Sequence, residues 1–371
     1  RAMNTVAFDS HPAARSLLID DSLSLINKTG AHYIAQDLVE RFGAGSLVRR
    51  WRRFGTALPA PLLRKVLGRL MLKEMAWLGD RHFGAWPERP RVLRLYLDPL
   101  YVLRARLQPS DIVLCHDIGP ITLAELYPPA VVEQYRRAYA KLSATRPGMV
   151  FVSQASRAAF VAEFGDDFRF LRCIPLYVRA AAQGPGPAVP GITPPFLLSV
   201  GALERRKNHL RTISAFARSG LAERGVSLVI CGARGDATDS ITQQAAQTPR
   251  VRMPGYVSDA QLRWLYRQAA GFVLPSLLEG FGLPALEASL YGLIPIVPKD
   301  SALNEAVGGL GLAVNAEDVD DIAAAMRQLI ELDPQTRRWR GEQLRAHARR
   351  ATYERFIHAW SRLLAEELAS P

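Results

Sequence analysis

Short apolar runs alternate with amphipathic stretches along the chain, and this alternation constrains the fold more than any other feature. The apolar runs 16–21, Ile112–Cys115 and 149–152 each end at a polar turn, and helical periodicity follows. Residues 31–41 are one such helical stretch. Strand, turn and helix in repetition are typical of a parallel sheet covered by helices. The sequence therefore predicts an α/β protein.

A break in the alternation predicts two domains. Residues 180–195 are mostly Ala, Gly and Pro, a composition typical of a linker, and a new strand follows at Phe196–Val200. A chain of 371 residues with 49% apolar residues is long enough for two packed cores. We expect a first domain over 1–180, a second over 181–350, and a C-terminal helix over 351–371 that crosses back to the first.

Composition excludes some classes of protein and favours others. No run approaches 18 uninterrupted apolar residues, so no membrane-spanning helix is expected. Cys115, Cys173 and Cys231 are widely spaced, which favours free thiols in a reducing cytosol over zinc ligands. The formal charge of +12 favours a polyanionic partner. Nucleic acid is not expected, because the arginines are not interleaved with a stacking platform of aromatic residues.

The strongest candidate for a functional site is the run PSLLEGFGLPALE, which opens at a strand end and closes inside a helix. Gly280 and Gly282 permit a positive φ and a close approach of backbone to a ligand. Pro284 suits the first helical turn, where its missing N–H would be unpaired anyway. The helix N-terminus then points at the loop, a place that suits phosphate and sugar oxygens. Glu279 and Glu287 would contact different parts of one elongated ligand.

This run resembles the E-x7-E signature of the family 4 retaining glycosyltransferases of GT-B fold. Other segments are similar to motifs of the same family: 200–208 (VGALERRKN) to its diphosphate-binding loop, 255–259 (GYVSD) to its base-contacting loop, His116-Asp117 to its first-domain histidine pair, and 152–157 (VSQASR) to the segment leading into the second half. The resemblance covers about residues 110–335. It implies a GT-B architecture of two doubly wound Rossmann-like domains facing across a cleft.

The resemblance also implies roles for individual residues of the donor site. Arg206 and Lys207 would hold the donor diphosphate next to Gly201, and Glu287 would accept hydrogen bonds from the ribose hydroxyls. The other donor contacts would be Tyr256 and Val257 at the base, and Glu279, Gly280, Phe281, Gly282 and Leu283 at the sugar.

In the first domain, the resemblance puts His116 near the transferred sugar and the acceptor, and the loop of Gly30 near the phosphates. Two positions depart from the pattern of the family. Ala202 stands where the family often has Arg or Thr, with Arg205 as the candidate to compensate. The loop of Gly30 has one glycine and then His32, where close relatives often have a longer Gly-Ile motif.

The mechanism implied by the resemblance is retention of configuration, by attack on the face from which the diphosphate leaves. The phosphate itself would take the acceptor proton. Arg206, Lys207 and a helix N-terminus can stabilise the leaving diphosphate without a metal ion. Two cations at a helix start also conflict with the helix dipole, which favours an anion bound between them.

Other patterns have simpler explanations. Asp318-Val319-Asp320 matches the D-x-D metal motif of GT-A transferases, but it directly precedes a helix, where Asp is a common cap. The glutamate pair could suggest a glycosidase, whose carboxyls stand about 5–9.5 Å apart. Eight residues at helical rise span roughly 12 Å, which argues against it. The run GGLG at 308–311 is typical of a plain turn.

Residues 47–106 form a basic segment within the first domain. Between Arg49 and Arg106, fourteen Lys and Arg stand against four Asp and Glu. Within it Lys65, Arg69 and Lys73 lie on one helical face. The other face and its flanks carry the apolar residues Leu62, Leu63, Val66, Leu67, Leu70, Trp77 and Leu78, with Trp51 and Trp86 nearby. The pattern is typical both of an ordinary helix with a solvated basic face and of a helix that lies on an anionic inner leaflet.

The sequence thus predicts a cytoplasmic, retaining hexosyltransferase that needs neither metal nor cofactor. GDP-mannose is the first candidate donor, because the loops at 203–208 and 279–287 resemble the mannosyltransferase-like branch; a UDP-hexose or another GDP-deoxyhexose would preserve the same loops. The acceptor would be a glycan or lipid-linked glycan of a bacterial surface polysaccharide. A nucleotide-sugar epimerase or phosphorylase on the same fold, or a non-catalytic membrane-associated scaffold, remain as alternatives.

Overall fold

The computed structural model describes residues 15–26, 30–78, 92–178 and 184–370. These residues form two compact units. The first unit contains the chain up to Pro175 together with the residues from Glu354 onward, and the second is Leu176–Tyr353. Each unit contains one sheet with helices, so the predicted α/β class with two parallel-sheet domains is confirmed.

A seven-stranded sheet with strand order β3-β2-β1-β4-β5-β6-β7 forms the centre of the first unit. Its strands are β1 (Ser16–Asp20), β2 (Leu47–Arg50), β3 (Arg53–Phe54), β4 (Val92–Tyr96), β5 (Ile112–Cys115), β6 (Gly148–Phe151) and β7 (Phe170–Cys173). Its first five helices are α1 (Gly30–Phe42), α2 (Pro61–Leu78), α3 (Gly119–Thr122), α4 (Pro129–Thr145) and α5 (Gln154–Phe164). All the described pairings are parallel except that of β2 with β3.

Three arginines of the basic segment lie inside the first unit. Arg49 and Arg50 end β2 and are buried. The Nε atom of Arg49 donates to Asp20 Oδ2 at 2.9 Å, and the Nε atom of Arg50 donates to Asp21 Oδ2 at 2.6 Å. Arg94 of β4 lies 3.6 Å from another buried aspartate. The basic segment therefore supplies strands β2, β3 and β4 to the sheet, and part of its positive charge is neutralised internally.

Helix α2 packs on the first unit through a narrow face. Met71 and Met75 are buried, and a Cβ atom on Gly68 would lie 2.8 Å from the Leu25 carbonyl oxygen. The leucine-rich face points to solvent instead, with exposed fractions of 79% at Leu62, 41% at Leu63, 52% at Val66, 48% at Leu70 and 84% at Trp77. Trp86 and the side chain of Leu78 lie outside the described residues. An ordinary helix would bury this apolar face.

The second unit is built on a six-stranded parallel sheet with strand order β10-β9-β8-β11-β12-β13. Its strands are β8 (Phe196–Val200), β9 (Ser227–Cys231), β10 (Val251–Gly255), β11 (Gly271–Val273), β12 (Pro295–Pro298) and β13 (Leu312–Val314). Its helices are α6 (His209–Ser219), α7 (Thr238–Gln247), α8 (Asp259–Gln268), α9 (Leu283–Leu290), α10 (Ala302–Ala306), α11 (Val319–Glu331) and α12 (Pro334–Ala348).

The last helix, α13 (Tyr353–Ala369), belongs largely to the first unit. Arg172 Nη1 lies 2.7 Å from Glu366 Oε2, and Arg169 forms an ion pair with Glu367. The apolar face of α13, which includes Trp360, is buried. The chain thus leaves the first unit, forms the second, and returns.

No helix among the residues that the structure describes is long and apolar enough to cross a membrane. Cys115 and Cys231 are buried, Cys173 is partly buried, and all three are free thiols.

The strand order of the second unit places a switch point between β8 and β11. Strand β8 pairs with β9 on one side and with β11 on the other. From β8 the chain continues to β9 and β10 on one side of the sheet, and β11, β12 and β13 then follow on the other side. The loops that follow β8 and β11 therefore turn away from each other at the carboxyl edge of the sheet. Open α/β sheets bind ligands in the crevice at such a switch point. Both candidate loops of the sequence lie there.

Candidate active site

The loop after β8 carries the two predicted cations. Arg205–Lys207 form a single 3-10 turn, which ends at Asn208 in the left-handed region, with φ at 63°. Lys207 is buried, and its side chain lies along the backbone of Gly201, where an added Cβ atom would be 3.4 Å from Lys207 Cδ. The lysine stem therefore passes close to position 201, where an added Cβ atom would make ordinary van der Waals contact with it.

Both cations face Glu279, which lies in the loop after β11. Lys207 Nζ bonds to Glu279 Oε1, and Arg206 Nη1 lies 3.4 Å from Glu279 Oε2. Arg206 Nε also lies 2.7 Å from Glu204. Burial acts to raise the pKa of Glu279, but Lys207 and Arg206 outweigh it and hold the pKa below its ordinary value. The carboxyl group is therefore ionised between two cations.

This arrangement changes the electrostatic argument made from the sequence. Arg206 and Lys207 precede helix α6 in a separate turn and do not occupy its first turn. Their conflict with the helix dipole is therefore smaller than the sequence suggested. The anion found between them is the Glu279 carboxylate. Glu279 lies 72 residues after Lys207 in the chain.

A helix N-terminus stands at the end of the same loop. Helix α9 starts at Leu283, Pro284 is in its first turn, and the N-cap is Gly282 with φ at 102°. A Cβ atom on Gly282 would lie 2.9 Å from Leu303 Cγ. Glycine is required here both for the backbone conformation and for space. Phe281 beside it is buried.

Glu287 lies one turn into α9 and has different neighbours from Glu279. Its Oε2 atom accepts a hydrogen bond from the Tyr266 hydroxyl at 3.1 Å. Tyr256 directly follows β10, and its ring is 80% exposed, with Val257 next to it partly buried. The second unit thus presents an exposed aromatic ring, two carboxylates, two cations and a helix N-terminus on loops at the carboxyl edge of its sheet. The positive charge of this group comes from Arg206 and Lys207.

Comparisons with known proteins identify the second unit. Residues 188–346 match the family described as glycosyl transferases group 1. The chain is 29% identical over 264 residues to O-antigen chain mannosyltransferase B of Escherichia coli, and the match covers 67% of this chain and 68% of that protein. The second unit of the chain belongs to the glycosyl transferases of group 1.

Other similarities add to this assignment. A GDP-mannose:cellobiosyl-diphosphopolyprenol alpha-mannosyltransferase of Xanthomonas oryzae is 30% identical over 153 residues, which cover 39% of each chain. The solved structure of sucrose-phosphate synthase from Thermosynechococcus elongatus superposes with a TM-score of 0.67 at 17% identity, and covers 96% of this chain and 100% of that one. A likeness at this identity concerns the fold alone, and the fold of this chain is GT-B.

The sequence did not single out Asn208 and His209 of this glycosyl transferase, which hold the cation turn in place. Asn208 Nδ2 donates to the Pro275 carbonyl oxygen at 2.9 Å and to the Ala316 carbonyl oxygen at 2.6 Å. The turn is thus tied to the loops after β11 and β13. Asn tolerates the left-handed region better than most residues, which is the one signal the sequence offered.

His209 is buried, and Nε2–H donates to the Ala202 carbonyl oxygen at 3.2 Å. Burial, with Lys207 adding to it, lowers the pKa of His209 to about 4, so the ring is neutral. Ala202 therefore contributes its backbone carbonyl oxygen, as the acceptor for His209. Arg205, the candidate to compensate for a missing Arg there, pairs with Asp236, with Nε 3.2 Å from Oδ2.

His116 and Gly30 belong to the first unit of the transferase. His116 directly follows β5, and Gly30 is the first residue of α1. Burial lowers the pKa of His116, while Asp117 and a hydrogen bond to the Leu97 backbone act in the opposite direction. Its Nε2 atom is buried without a hydrogen-bond partner among the described residues. A neutral histidine with a free ring nitrogen can bond to a ligand hydroxyl.

The D-x-D motif of the transferase serves as a helix cap. Asp318 accepts hydrogen bonds from the backbone N–H groups of Asp320 and Asp321, at 2.8 and 3.2 Å, at the start of α11. Asp320 in turn pairs with Arg218. No group of three or more metal-ligating side chains occurs among the residues that the structure describes. Gly308 and Gly309 have positive φ, in keeping with a plain turn.

Proposed function

We propose that this glycosyl transferase moves a hexose from a nucleotide diphosphate donor with retention of configuration and without a metal ion. The observation that carries the proposal is the group formed by Arg206, Lys207 and Glu279, next to the N-terminus of α9 at the switch point of the sheet. Two cations with a pre-organised geometry suit a diphosphate, and a carboxylate beside them suits sugar hydroxyls.

Charge development gives each group its role. Cleavage of the bond from the anomeric carbon to oxygen puts negative charge on the leaving diphosphate. Lys207 and Arg206 stabilise this charge, and the first N–H groups of α9 add the positive end of the helix dipole. The acceptor attacks on the face that the diphosphate leaves, and a diphosphate oxygen takes the acceptor proton. Tyr256 stacks on the base, and Glu287 binds the ribose hydroxyls.

GDP-mannose is the proposed donor, and a glycan or lipid-linked glycan is the proposed acceptor. The names of two relatives support this choice: one is an O-antigen chain mannosyltransferase, and the other is a GDP-mannose-dependent transferase that acts on a diphosphopolyprenol acceptor. Both relatives fit an enzyme of bacterial surface polysaccharide synthesis.

The test is hydrolysis or transfer with GDP-mannose, UDP-glucose and ADP-glucose, each in EDTA and in magnesium. We expect GDP-mannose to be consumed fastest, at the same rate in EDTA, with the α-configuration kept in the product. Because Arg206 and Lys207 supply the positive charge, chelation removes nothing that the reaction needs. Strict dependence on magnesium, or a product of inverted configuration, would contradict the mechanism.

We also propose that α2 lies on an anionic membrane surface. Ten large apolar side chains are exposed among the described residues, and five of them lie on this helix. Lys65, Arg69 and Lys73 are exposed on the same helix. A cluster of exposed apolar side chains marks an interaction site, and flanking cations favour anionic lipid headgroups as the partner.

Liposome sedimentation at low salt tests the membrane proposal. We expect binding to vesicles with anionic lipid, little binding to neutral vesicles, and a loss of about tenfold in affinity for Trp77→Ala combined with Leu62→Ala, because burial of these side chains in the interface drives binding. Trp339→Ala is the matched control, because Trp339 is also exposed but lies on α12. Equal recovery with neutral and anionic vesicles would count against the proposal.

A further inference from the structure

The carboxylate of Glu279 and a diphosphate compete for the same cations. Lys207 bonds directly to Glu279 Oε1, and Arg206 Nη1 is 3.4 Å from Oε2. The side chains of Lys207 and Glu279 are each 9% exposed. If their ion pair weakens, water can therefore replace little of the lost interaction. A diphosphate that binds Arg206 and Lys207 therefore weakens both ion pairs of Glu279.

Whether Glu279 then finds new hydrogen-bond partners depends on the group that the diphosphate carries. The Ser276 hydroxyl, which donates to Glu279 Oε1 at 3.2 Å, is a neutral partner outside this exchange. One hydroxyl does not satisfy a buried carboxylate, and a buried charge without partners is strongly unfavourable. Hydroxyl groups of a donor sugar can donate to Glu279 and replace the cations. A bare diphosphate offers no such donor.

We infer that Glu279 is a specificity-determining residue that makes the cation pair select a diphosphate bearing a sugar over a bare diphosphate. The inference rests on the proposed function. Glu279 neutralises the cations in the empty site, gives them up to the diphosphate of the donor, and bonds to the sugar hydroxyls instead. When the sugar has been transferred, Glu279 loses those partners, returns to Lys207, and favours release of the nucleoside diphosphate. Glu279 thus disfavours a bare diphosphate, which takes its cations and offers no replacement, and favours a diphosphate with a sugar, whose hydroxyls it binds.

Calorimetric titration of the full chain in EDTA tests the inference with inorganic pyrophosphate, GDP and GDP-mannose. We expect pyrophosphate and GDP to bind the Glu279→Gln variant about tenfold more tightly than they bind the unchanged chain. This is the scale expected when one charged competitor for the two cations is removed. GDP-mannose should gain nothing, because the amide is a poorer partner for the sugar. Glu279→Ala serves the same purpose if the Gln variant does not fold, and circular dichroism checks both.

Glu287→Gln is the matched control. Glu287 bonds to Tyr266, and pyrophosphate has no ribose for it to contact, so this variant should bind pyrophosphate as the unchanged chain does. Unchanged or weaker binding of pyrophosphate and GDP by a folded Glu279 variant would overturn the inference and leave the proposed function standing. If the unchanged chain binds neither GDP nor any of the nucleotide sugars, the proposed function itself fails, and the inference fails with it.

Discussion

Lys207→Ala should slow turnover by about 10²–10³, the scale of losing one pre-organised charge donor. Lys207 is buried, its stem lies over Gly201, and its ammonium group is fixed by Glu279. The charge is therefore oriented before the diphosphate begins to leave. The measurement is the initial rate of GDP-mannose consumption at saturating donor, where the loss should fall mainly on kcat.

Arg205→Ala is the matched control for this variant. Arg205 neighbours the same turn, but its side chain is half exposed and pairs with Asp236. Its removal should leave the rate within about threefold of normal, since exposed ion pairs contribute little. Near-normal activity of a folded Lys207→Ala variant would remove Lys207 from the mechanism.

Arg49→Ala should destabilise the first unit by about 3–5 kcal/mol, because it leaves a buried carboxylate without its cation. Asp20 has no exposed surface, and Arg49 bonds to it through Nε and Nη2. Burial acts to raise the pKa of Asp20, but Arg49 outweighs it and holds the pKa below its ordinary value. Without Arg49, Asp20 must either stay charged, with the Ser22 backbone N–H as a remaining hydrogen-bond donor, or take up a proton.

Urea unfolding followed by tryptophan fluorescence measures this effect. Arg53→Ala is the control, because Arg53 is exposed on the short strand β3 of the same sheet. Its loss should change the free energy of unfolding by less than about 0.5 kcal/mol. A similar small change for Arg49→Ala would contradict the assignment of this ion pair to the core.

The sequence predicts best those elements whose residues are uniformly apolar. The bounds of β5 and β8 agree with the expectation residue for residue, because each is set by a local apolar run and by a turn at its end. Strand β4 was not predicted, because Arg94 interrupts its apolar pattern. The partner that allows an arginine in this central strand is Asp111, 17 positions further on, and no local pattern reveals it.

Helix α2 illustrates a second limit. Its existence follows from the spacing of its apolar residues, yet these occur around much of the helix. Periodicity could not decide whether the face with Met71 and Met75 or the face with Leu62 and Val66 would pack inward. The close approach of Gly68 to the Leu25 backbone decides it, and that is a contact between distant parts of the chain.

The candidate site was predictable in its members but not in its contacts. Arg206, Lys207 and Glu279 are recognisable from their motifs. Their ion pairs join two loops that the strand order of the sheet brings together, and so could not be read from either loop alone. The contribution of Asn208 has the same origin, since its partners are backbone carbonyls of two other loops.

A structure of the chain with intact GDP-mannose bound tests the central claim most directly. The account predicts that the diphosphate oxygens lie within hydrogen-bond distance of Arg206 and Lys207 and face the N-terminus of α9 after Gly282, with Glu279 turned to the mannose hydroxyls. A diphosphate bound elsewhere, with Glu279 still paired to Lys207, would contradict it.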